Sequence, residues 1–199
     1  MPIHLVSANL FRQLSTAKRA CGLSAIIETS IQRIESHEFC APHRRGVSAP
    51  LWIGARHLNS AGNLGTLLRT AEAVTASGVI CFGNTLDPYD PASIRASMGA
   101  LFHIDIVRTT HGALRRWRAK FPDLAILGAS VQGSLPCWEA DLTRPTILML
   151  GNERSGLTEE EEAMCDALVS IPMGGAISSL NAGVAASVML YEAWRQRSS

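Results

Sequence analysis

The chain has 199 residues, 47% of them hydrophobic, which is enough to bury the core of one globular domain. A formal net charge of +1 excludes binding to nucleic acid through overall charge alone, although a local basic face stays compatible with it. The five cysteines are scattered without a CxxC pair, which favours the cytoplasm over a disulfide framework, and no apolar run is long enough to span a membrane.

The first predicted elements are helical and precede a basic linker. Residues 1–27 contain three basic and no acidic residues, and residues 25–34 continue a helical pattern. We expect an amphipathic helix docked on the main domain or an arm that faces RNA, with a transit peptide as the alternative. The stretch HRRGVSAP at 43–50 is typical of a linker, so the sequence predicts a short helical extension over 1–46 and one domain over 47–199.

The segment HEFCAPH, just before this linker, has a weak metal-site pattern. His37, Cys40 and His43 have a spacing that suits a metal ion. No second cluster of histidine or cysteine completes a tetrahedral site. We therefore predict a polar loop there and no metal centre.

After the linker, short apolar strands alternate with helical patterns. The predicted strands are 51–54, 78–82, 104–107, 124–129, 146–150 and 167–171. The predicted helices are 64–76, 92–100, 113–120, 158–164 and 179–197. This alternation indicates an α/β domain with a mainly parallel sheet and helices on both faces. Ligands of such sheets bind beyond the carboxyl ends of the strands, so the loops there are the candidates for a site.

Two of these loops combine glycine with polar side chains. In ARHLNSAGNLGTLLRTAEA, Asn63 is a candidate helix N-cap, and Arg69 on the next helix can bind a phosphate with two hydrogen bonds. In the loop after 146–150, Gly151 and Gly156 flank Glu153, and glycine lets the backbone approach a ligand closely. The residue order matches neither a P-loop nor a dinucleotide-binding fingerprint.

Capping signals and small residues mark the last two predicted helices. Thr158 and Glu161 have the spacing of a capping box. The third loop, IPMGGAISSLNAGVA, puts Ser179 and Asn181 near a helix N-terminus, where free N–H groups can face a ligand. Small residues in the first turns of that helix predict close packing against another helix or another chain.

Three segments, NLGTLLRTAEA, LMLGNERSGLT and IPMGGAISSLNAGVAASVMLYE, resemble in sequence and order the three motifs of the SpoU (TrmH-like) branch of the SPOUT methyltransferases. Residues 94–107 also resemble the family, so the resemblance covers about residues 50–195. It implies methyl transfer from S-adenosylmethionine, without a metal, to a ribose 2′-hydroxyl in structured tRNA or rRNA. It also implies a deep trefoil knot in the C-terminal part of the sheet and a homodimer with the last helix at its interface.

The resemblance also implies which residues form the site. It assigns eleven residues to the cofactor loops: Gly128, Ala129, Ser130, Leu150, Gly151, Asn152, Gly156, Ile171, Met173, Leu180 and Asn181. Arg69 matches a family arginine proposed to accept the proton of the 2′-hydroxyl. Since the pKa of a free arginine lies above about 12, its role can instead be to clamp an RNA phosphate. The other catalytic candidates, which would shape the site or orient the ribose, are Asn63, Glu153, Ser179 and Asn181.

The sequence departs from the family in two ways. The first 46 residues are shorter than the RNA-recognition domain that many members carry, and Ala182 and Gly183 replace a larger residue and a serine. The alternatives are a non-catalytic knotted module that binds RNA or helps assembly, and a SPOUT base methyltransferase. The presence of Arg69 and Glu153 disfavours the first, and the sequence SLN after IPM favours the ribose branch over the second.

Overall fold

The structure is a computed structural model that describes residues 3–14, 22–29, 31–36, 49–56, 58, 60–83, 87–152 and 154–198. The chain divides into two compact units, Met1–Ser30 and Ile31–Ser199. Gln32–Arg33 forms a short strand in the sheet of the second unit. The predicted boundary between residues 46 and 47 falls among residues that the structure does not describe, so it stays a prediction.

Among its described residues, the first unit contains one short helix, α1 (Ala8–Leu14). Ser7 Oγ accepts a hydrogen bond from the backbone N–H of Leu10 at 3.2 Å and so caps its start. In the amphipathic helix expected for this region, Leu5, Leu10, Phe11 and Leu14 would share an apolar face, and the three leucines are exposed. The expected docking of this face stays a prediction.

The second unit alternates strands and helices, as the sequence predicts. Its strands are β1 (Gln32–Arg33), β2 (Leu51–Arg56), β3 (Gly78–Phe82), β4 (Asp105–Thr109), β5 (Ala125–Ala129), β6 (Leu135–Pro136), β7 (Thr146–Leu150) and β8 (Ala167–Ser170). Its α-helices are α2 (Ala61–Ala73), α3 (Pro91–Ser97), α4 (His111–Arg118), α5 (Glu159–Glu162) and α6 (Ala182–Arg197). Every predicted strand and helix after residue 50 is present, while β1 and β6 were not predicted.

The eight strands form one sheet in the order β1-β4-β3-β2-β7-β5-β8-β6, and every strand pair is parallel. The predicted α/β fold with a parallel sheet is therefore confirmed. Strand β7 lies between β2 and β5, although it follows both in the chain. This order is consistent with the SPOUT fold, and the knot itself stays a prediction.

Helices cover both faces of the sheet, which was also predicted. Side chains that alternate along β2 enter different cores, because successive strand residues point to opposite faces. Leu51, Ile53 and Ala55 pack in the core that contains residues of α2 and α6. Trp52 packs on the opposite face, in the core that contains Leu114 and other residues of α4.

The predicted helical pattern over 25–34 is wrong. The described residues at 22–29 are not helical, β1 pairs with β4, and a short 3-10 helix spans Ile34–Ser36. Ile34 is 1% exposed and packs in the core of α4. Burial of this side chain and pairing with a distant strand override the local preference for helix.

The C-terminal end of α6 ties together distant parts of the chain. Arg197 donates hydrogen bonds to the carbonyl oxygens of Ala49 at 2.6 Å, Leu142 at 2.7 Å and Arg144 at 2.8 Å. Burial lowers the pKa of Arg197 to about 10, so it still carries its charge at neutral pH.

Among the described residues, no helix combines the length and the apolar character that crossing a bilayer requires.

Candidate functional site

A cavity of about 480 Å³ lies at the carboxyl ends of β5, β7 and β8. This volume falls in the range of small-molecule sites, roughly 300–1,000 Å³. Three loops line it, at 129–132, 150–157 and 171–180, together with Ala182, Ala185 and Met189 on one face of α6. The parallel sheet therefore places its cavity where ligands of α/β proteins bind.

The loop after β7 is a tight turn held by its own backbone. Asn152 and Gly156 exchange two backbone hydrogen bonds of 2.8 and 2.9 Å. Asn152 Oδ1 also accepts hydrogen bonds from the backbone N–H of Arg154 at 2.8 Å and of Ser155 at 3.2 Å. A Cβ on Gly151 would lie 2.1 Å from the carbonyl carbon of Gly156, so only glycine fits at this position.

The same loop ends in the predicted capping box, which is confirmed. Thr158 Oγ1 accepts a hydrogen bond from the backbone N–H of Glu161, and Glu161 accepts one from the backbone N–H of Thr158 at 2.8 Å. Burial of Glu161 raises its pKa, but the hydrogen bonds from Thr158 and the adjacent Arg56 guanidinium outweigh burial and lower the pKa overall. The carboxylate is therefore ionised at neutral pH.

The third loop runs three residues further than predicted, because α6 begins at Ala182 and not at Ser179. Asn181 is the N-cap, and its Oδ1 accepts hydrogen bonds from the backbone N–H of Gly183 at 2.9 Å and of Val184 at 3.3 Å. The side-chain oxygen of Asn181 is thus used by the helix. Ser179 and Leu180 stay in the loop and line the cavity.

The small residues of α6 pack against α2 of the same chain. A Cβ on Gly183 would lie 3.4 Å from Thr66 Cβ, and Ser187 Oγ is hydrogen-bonded to Thr70 Oγ1 at 2.9 Å. Of the two partners that the sequence left open, the structure thus shows another helix. Beside this contact, α6 carries four half-exposed apolar residues: Val184, Val188, Tyr191 and Trp194.

Comparison with known proteins decides the family. The profile of the SpoU rRNA Methylase family matches residues 50–191. The chain belongs to the SpoU rRNA methylase family. The family match agrees with the resemblance of the three sequence motifs. The loops of the second and third motifs line the cavity of this SpoU chain.

Two curated relatives and one solved structure are similar to this SpoU chain. The 23S rRNA (uridine(2479)-2'-O)-methyltransferase of Streptomyces viridochromogenes is 43% identical over 145 residues, which are 70% of this chain and 50% of the relative. The 23S rRNA (guanosine-2'-O-)-methyltransferase RlmB of Pseudomonas syringae is 35% identical over 155 residues, or 78% of this chain and 62% of the relative. The crystal structure of the SpoU methyltransferase AviRb from Streptomyces viridochromogenes with AdoMet gives a TM-score of 0.70 at 40% identity, covering 76% of this chain and 58% of that chain. The SpoU chain thus spans half to under two thirds of these relatives.

The cavity brings together nine of the eleven residues assigned to the cofactor. They are Ala129, Ser130, Leu150, Gly151, Asn152, Gly156, Ile171, Met173 and Leu180. The other two, Gly128 and Asn181, are not among its lining residues. A Cβ on Gly128 would lie 2.7 Å from Leu157 Cδ1 and 2.8 Å from Cys165 Sγ, so a larger residue there would force these side chains to shift.

The catalytic candidates lie in different places. Ser179 lines the cavity, whereas Arg69 and Asn63 lie on α2 and are not among the lining residues. Asn63 was predicted to be the N-cap of α2, but the N-cap is Ser60. Ser60 Oγ accepts a hydrogen bond from the backbone N–H of Asn63 at 3.5 Å. The side chain of Arg69 is exposed and makes no hydrogen bond or ion pair with the described residues. Glu153 lies outside the described residues.

The predicted polar loop at 37–43 also lies outside the described residues, with His37, Cys40 and His43. In the part of the chain that the structure describes, no three histidine, cysteine or acidic side chains are grouped to hold a metal ion. Sequence reasoning missed several lining residues: Val131, Gln132, Arg154, Ser155, Glu162 and Ser178. Most are direct neighbours of assigned residues, and that proximity was the available signal.

Proposed function

We propose that this chain transfers the methyl group of S-adenosylmethionine to a ribose 2′-hydroxyl of RNA. The cavity carries this proposal, because nine residues that the family motifs assign to the cofactor line it together. The two relatives, both named as 2'-O-methyltransferases of 23S rRNA, support the reaction type. The AdoMet, or S-adenosylmethionine, in the similar AviRb structure supports the choice of cofactor.

The lining of the cavity suits this cofactor. Apolar side chains such as Leu150 and Ile171 can contact a purine ring, while short residues and glycine backbone leave hydrogen-bonding groups for a ribose. Arg154 and Glu162 supply one charge of each sign among the described lining residues, which matches the carboxylate and ammonium of an amino acid. When bound, the cofactor supplies an electrophilic methyl group on a positively charged sulfur. The site binds it, in this proposal, without a metal.

Methyl transfer to RNA needs a group that aligns the 2′-hydroxyl and a group that accepts its proton. The hydroxyl is a poor nucleophile until its proton leaves as the oxygen attacks the methyl carbon. Arg69 is our candidate, because its exposed guanidinium has no partner among the described residues. It either accepts the proton or clamps a neighbouring phosphate so that another acceptor takes the proton.

We propose a homodimer that buries the exposed apolar side of α6. Val184, Val188, Tyr191 and Trp194 are 39–53% exposed and recur on one side of the helix. An exposed apolar stripe of this kind is costly in water, and a two-fold contact between identical helices would cover both copies. The dimer contact is thus assigned to this side of α6, and not to its small residues.

We propose rRNA as the first target to test, since both relatives act by name on 23S rRNA, with tRNA as the alternative. The proposed location is the cytoplasm. The role of residues 1–46 as an extension to the catalytic domain over 47–199 also stays a proposal. The extension over residues 1–46 is expected to contact RNA.

The decisive experiment measures modified nucleosides by mass spectrometry in rRNA and tRNA from cells with and without the protein. We expect one 2′-O-methylnucleoside to be lost from the rRNA of cells without the protein, and purified protein with S-adenosylmethionine and EDTA to restore it. Loss of a base-methylated nucleoside would instead establish the base methyltransferase. RNA binding with no change in any nucleoside would establish the non-catalytic module.

A further inference from the structure

A buried carboxylate lies at the base of the cavity loop but is not among the lining residues. The side chain of Glu161 is 0% exposed, and its Oε1 lies 2.9 Å from Arg56 Nη1. Its Oε2 accepts hydrogen bonds from the backbone N–H of Thr158 at 2.8 Å and from Thr158 Oγ1 at 3.0 Å. Arg56 Nη1 also donates to Thr158 Oγ1 at 3.2 Å. One guanidinium thus holds both members of the capping box.

This cluster joins the ends of several strands. Arg56 is the last residue of β2, and His111 begins α4 directly after β4 and Thr110. His111 Nε2 lies 3.3 Å from Glu161 Oε1, and its Nδ1 lies 3.3 Å from Glu160 Oε2. The imidazole ring packs against Phe82, the last residue of β3, with ring centroids 5.5 Å apart. The carboxyl edge of the sheet therefore converges on Glu161.

Two basic side chains lie close to Glu161 Oε1. Arg56 and His111 lie within ion-pair distance of this oxygen, but no described residue hydrogen-bonds to it with good geometry. A buried charge whose partner is removed is strongly destabilising, because nothing else compensates for its lost hydration. Loss of Arg56 should therefore move Glu161, and with it Thr158 and the loop before it.

We propose that Arg56 and Glu161 are positioning residues for the cofactor, which act by fixing the C-terminal end of the loop 150–157 against the end of β2. The inference rests on the proposed function, since it assigns the loop to S-adenosylmethionine. Leu157, the residue before Thr158, lines the cavity, so a shift of the cap changes the cavity wall. The same strand β2 precedes α2, which carries Arg69, the residue proposed to act on the RNA.

A second buttressing pair at the other edge of the sheet provides a matched control. Arg118 Nη2 lies 2.7 Å from Asp166 Oδ1, and Asp166 Oδ2 accepts a hydrogen bond from the backbone N–H of Ile126 at 2.8 Å. Asp166 directly precedes β8, and Ile126 is near the start of β5, so this pair lies at the amino edge, away from the cavity. Both pairs join an arginine to a carboxylate that also binds a backbone N–H.

The experiment compares Glu161→Gln and Arg56→Met with Asp166→Asn and Arg118→Met. Glutamine can keep the capping box, so the first variant removes charge and leaves the cap acceptor in place. Binding of S-adenosylhomocysteine is measured by calorimetry, and thermal unfolding is followed by circular dichroism. We expect the substitutions in both pairs to lower the melting temperature. Only the Arg56 and Glu161 variants should weaken binding of S-adenosylhomocysteine, by roughly tenfold or more.

Two further arms separate positioning from general stability. Arg56→Lys should restore binding to within about threefold of the parent, because one ammonium can reach both partners of Nη1. The double variant should lose no more affinity than the worse single variant, since both residues act through one contact. Equal loss of binding in both pairs, or parental binding by folded Glu161→Gln and Arg56→Met, would overturn the inference. Failure of the parent protein to bind would instead contradict the proposed function.

Discussion

Two glycines in the cavity loops have opposite surroundings. A Cβ on Gly151 would meet the backbone of Gly156 and Leu157 at 2.1–2.3 Å, whereas a Cβ on Gly175 would meet nothing within 4 Å. Both positions looked alike in the sequence, as glycines beside a predicted ligand. The structure separates a glycine that the backbone itself requires from one that it does not.

Gly151→Ala should therefore lower the free energy of unfolding by about 1–3 kcal/mol and weaken cofactor binding, because the methyl group forces the turn open. Gly175→Ala, the matched control, should change stability by less than about 0.5 kcal/mol. Urea denaturation and calorimetry with S-adenosylhomocysteine measure both effects. Similar behaviour of the two variants would contradict the steric account of Gly151.

The role of Arg69 is tested by separating cofactor binding from methyl transfer. Because Arg69 is not among the cavity-lining residues, Arg69→Ala should bind S-adenosylmethionine about as well as the parent. Its rate should fall by on the order of 10²-fold or more, the scale expected for loss of a positioned proton acceptor. Arg69→Lys keeps the charge without the planar fork, so its rate reports how much the fork contributes. Near-parental activity of Arg69→Ala on the true RNA would show that the family role does not apply here.

The sequence predicted the cavity better than it predicted the roles of individual residues. Motif resemblance places Asn181 at the cofactor, but only the structure shows that its side-chain oxygen caps α6. It also places Gly128 there, while the collision of a Cβ with Leu157 and Cys165 depends on packing between distant segments. Arg56 and Glu161 were missed as a pair, because no sequence pattern links residues at the ends of two separate elements.

At the scale of elements, α6 has sides with different tasks. Gly183 and Ser187 contact α2, Ala182 and Ala185 line the cavity, and Val188 belongs to the exposed apolar stripe. A single helix therefore connects the proposed cofactor site, the helix that carries Arg69 and the proposed dimer contact. The small residues of α6 line the cavity and contact α2, and its bulky apolar residues form the proposed dimer contact.

Substitutions on two sides of α6 should have separable effects. Gly183→Leu should destabilise the fold by about 1–3 kcal/mol, because its side chain would be forced against Thr66 and the backbone of Asn63. Val188→Asp should leave the unfolding of the isolated chain nearly unchanged but shift the dimer towards monomer. Light scattering and urea denaturation measure the two properties. A monomeric parent at micromolar concentration would contradict the proposed dimer.

The limits of prediction differ between elements. Long apolar strands such as β3 and β7 were predicted with their observed bounds, because five consecutive buried residues give a clear signal. The strands β1 and β6 have two residues each, too few for a periodic pattern, and exist only because β4 and β8 offer a free edge. The start of α6 was placed too early because Ser179 and Asn181 are both good N-cap residues, so the sequence alone does not decide between them.

The whole molecule should lose stability in acid partly through Glu161. The ordinary pKa of this carboxyl is 4.5, and its pKa in the fold is lower. A depressed pKa means that the unfolded chain binds more protons, so the contribution is complete above about pH 5 and is lost as the pH falls through the folded pKa. The stability difference between the parent and Glu161→Gln should therefore shrink from pH 6 to pH 3 in a series of urea denaturations. A difference that stays constant over this range would contradict the assignment.

The hydrogen bonds of Arg197 have a consequence for how the chain folds during synthesis. Strands β2, β3 and β4 can pair as soon as they leave the ribosome, but the other edge of β2 stays open until β7 has been made. The backbone that leads into β2 is fixed later still, because Arg197 binds the carbonyl of Ala49 across 148 residues of sequence. A growing chain must therefore protect an unpaired edge of its central strand from the synthesis of β2 until that of β7, a state in which chaperones and neighbouring nascent chains compete for the same backbone groups.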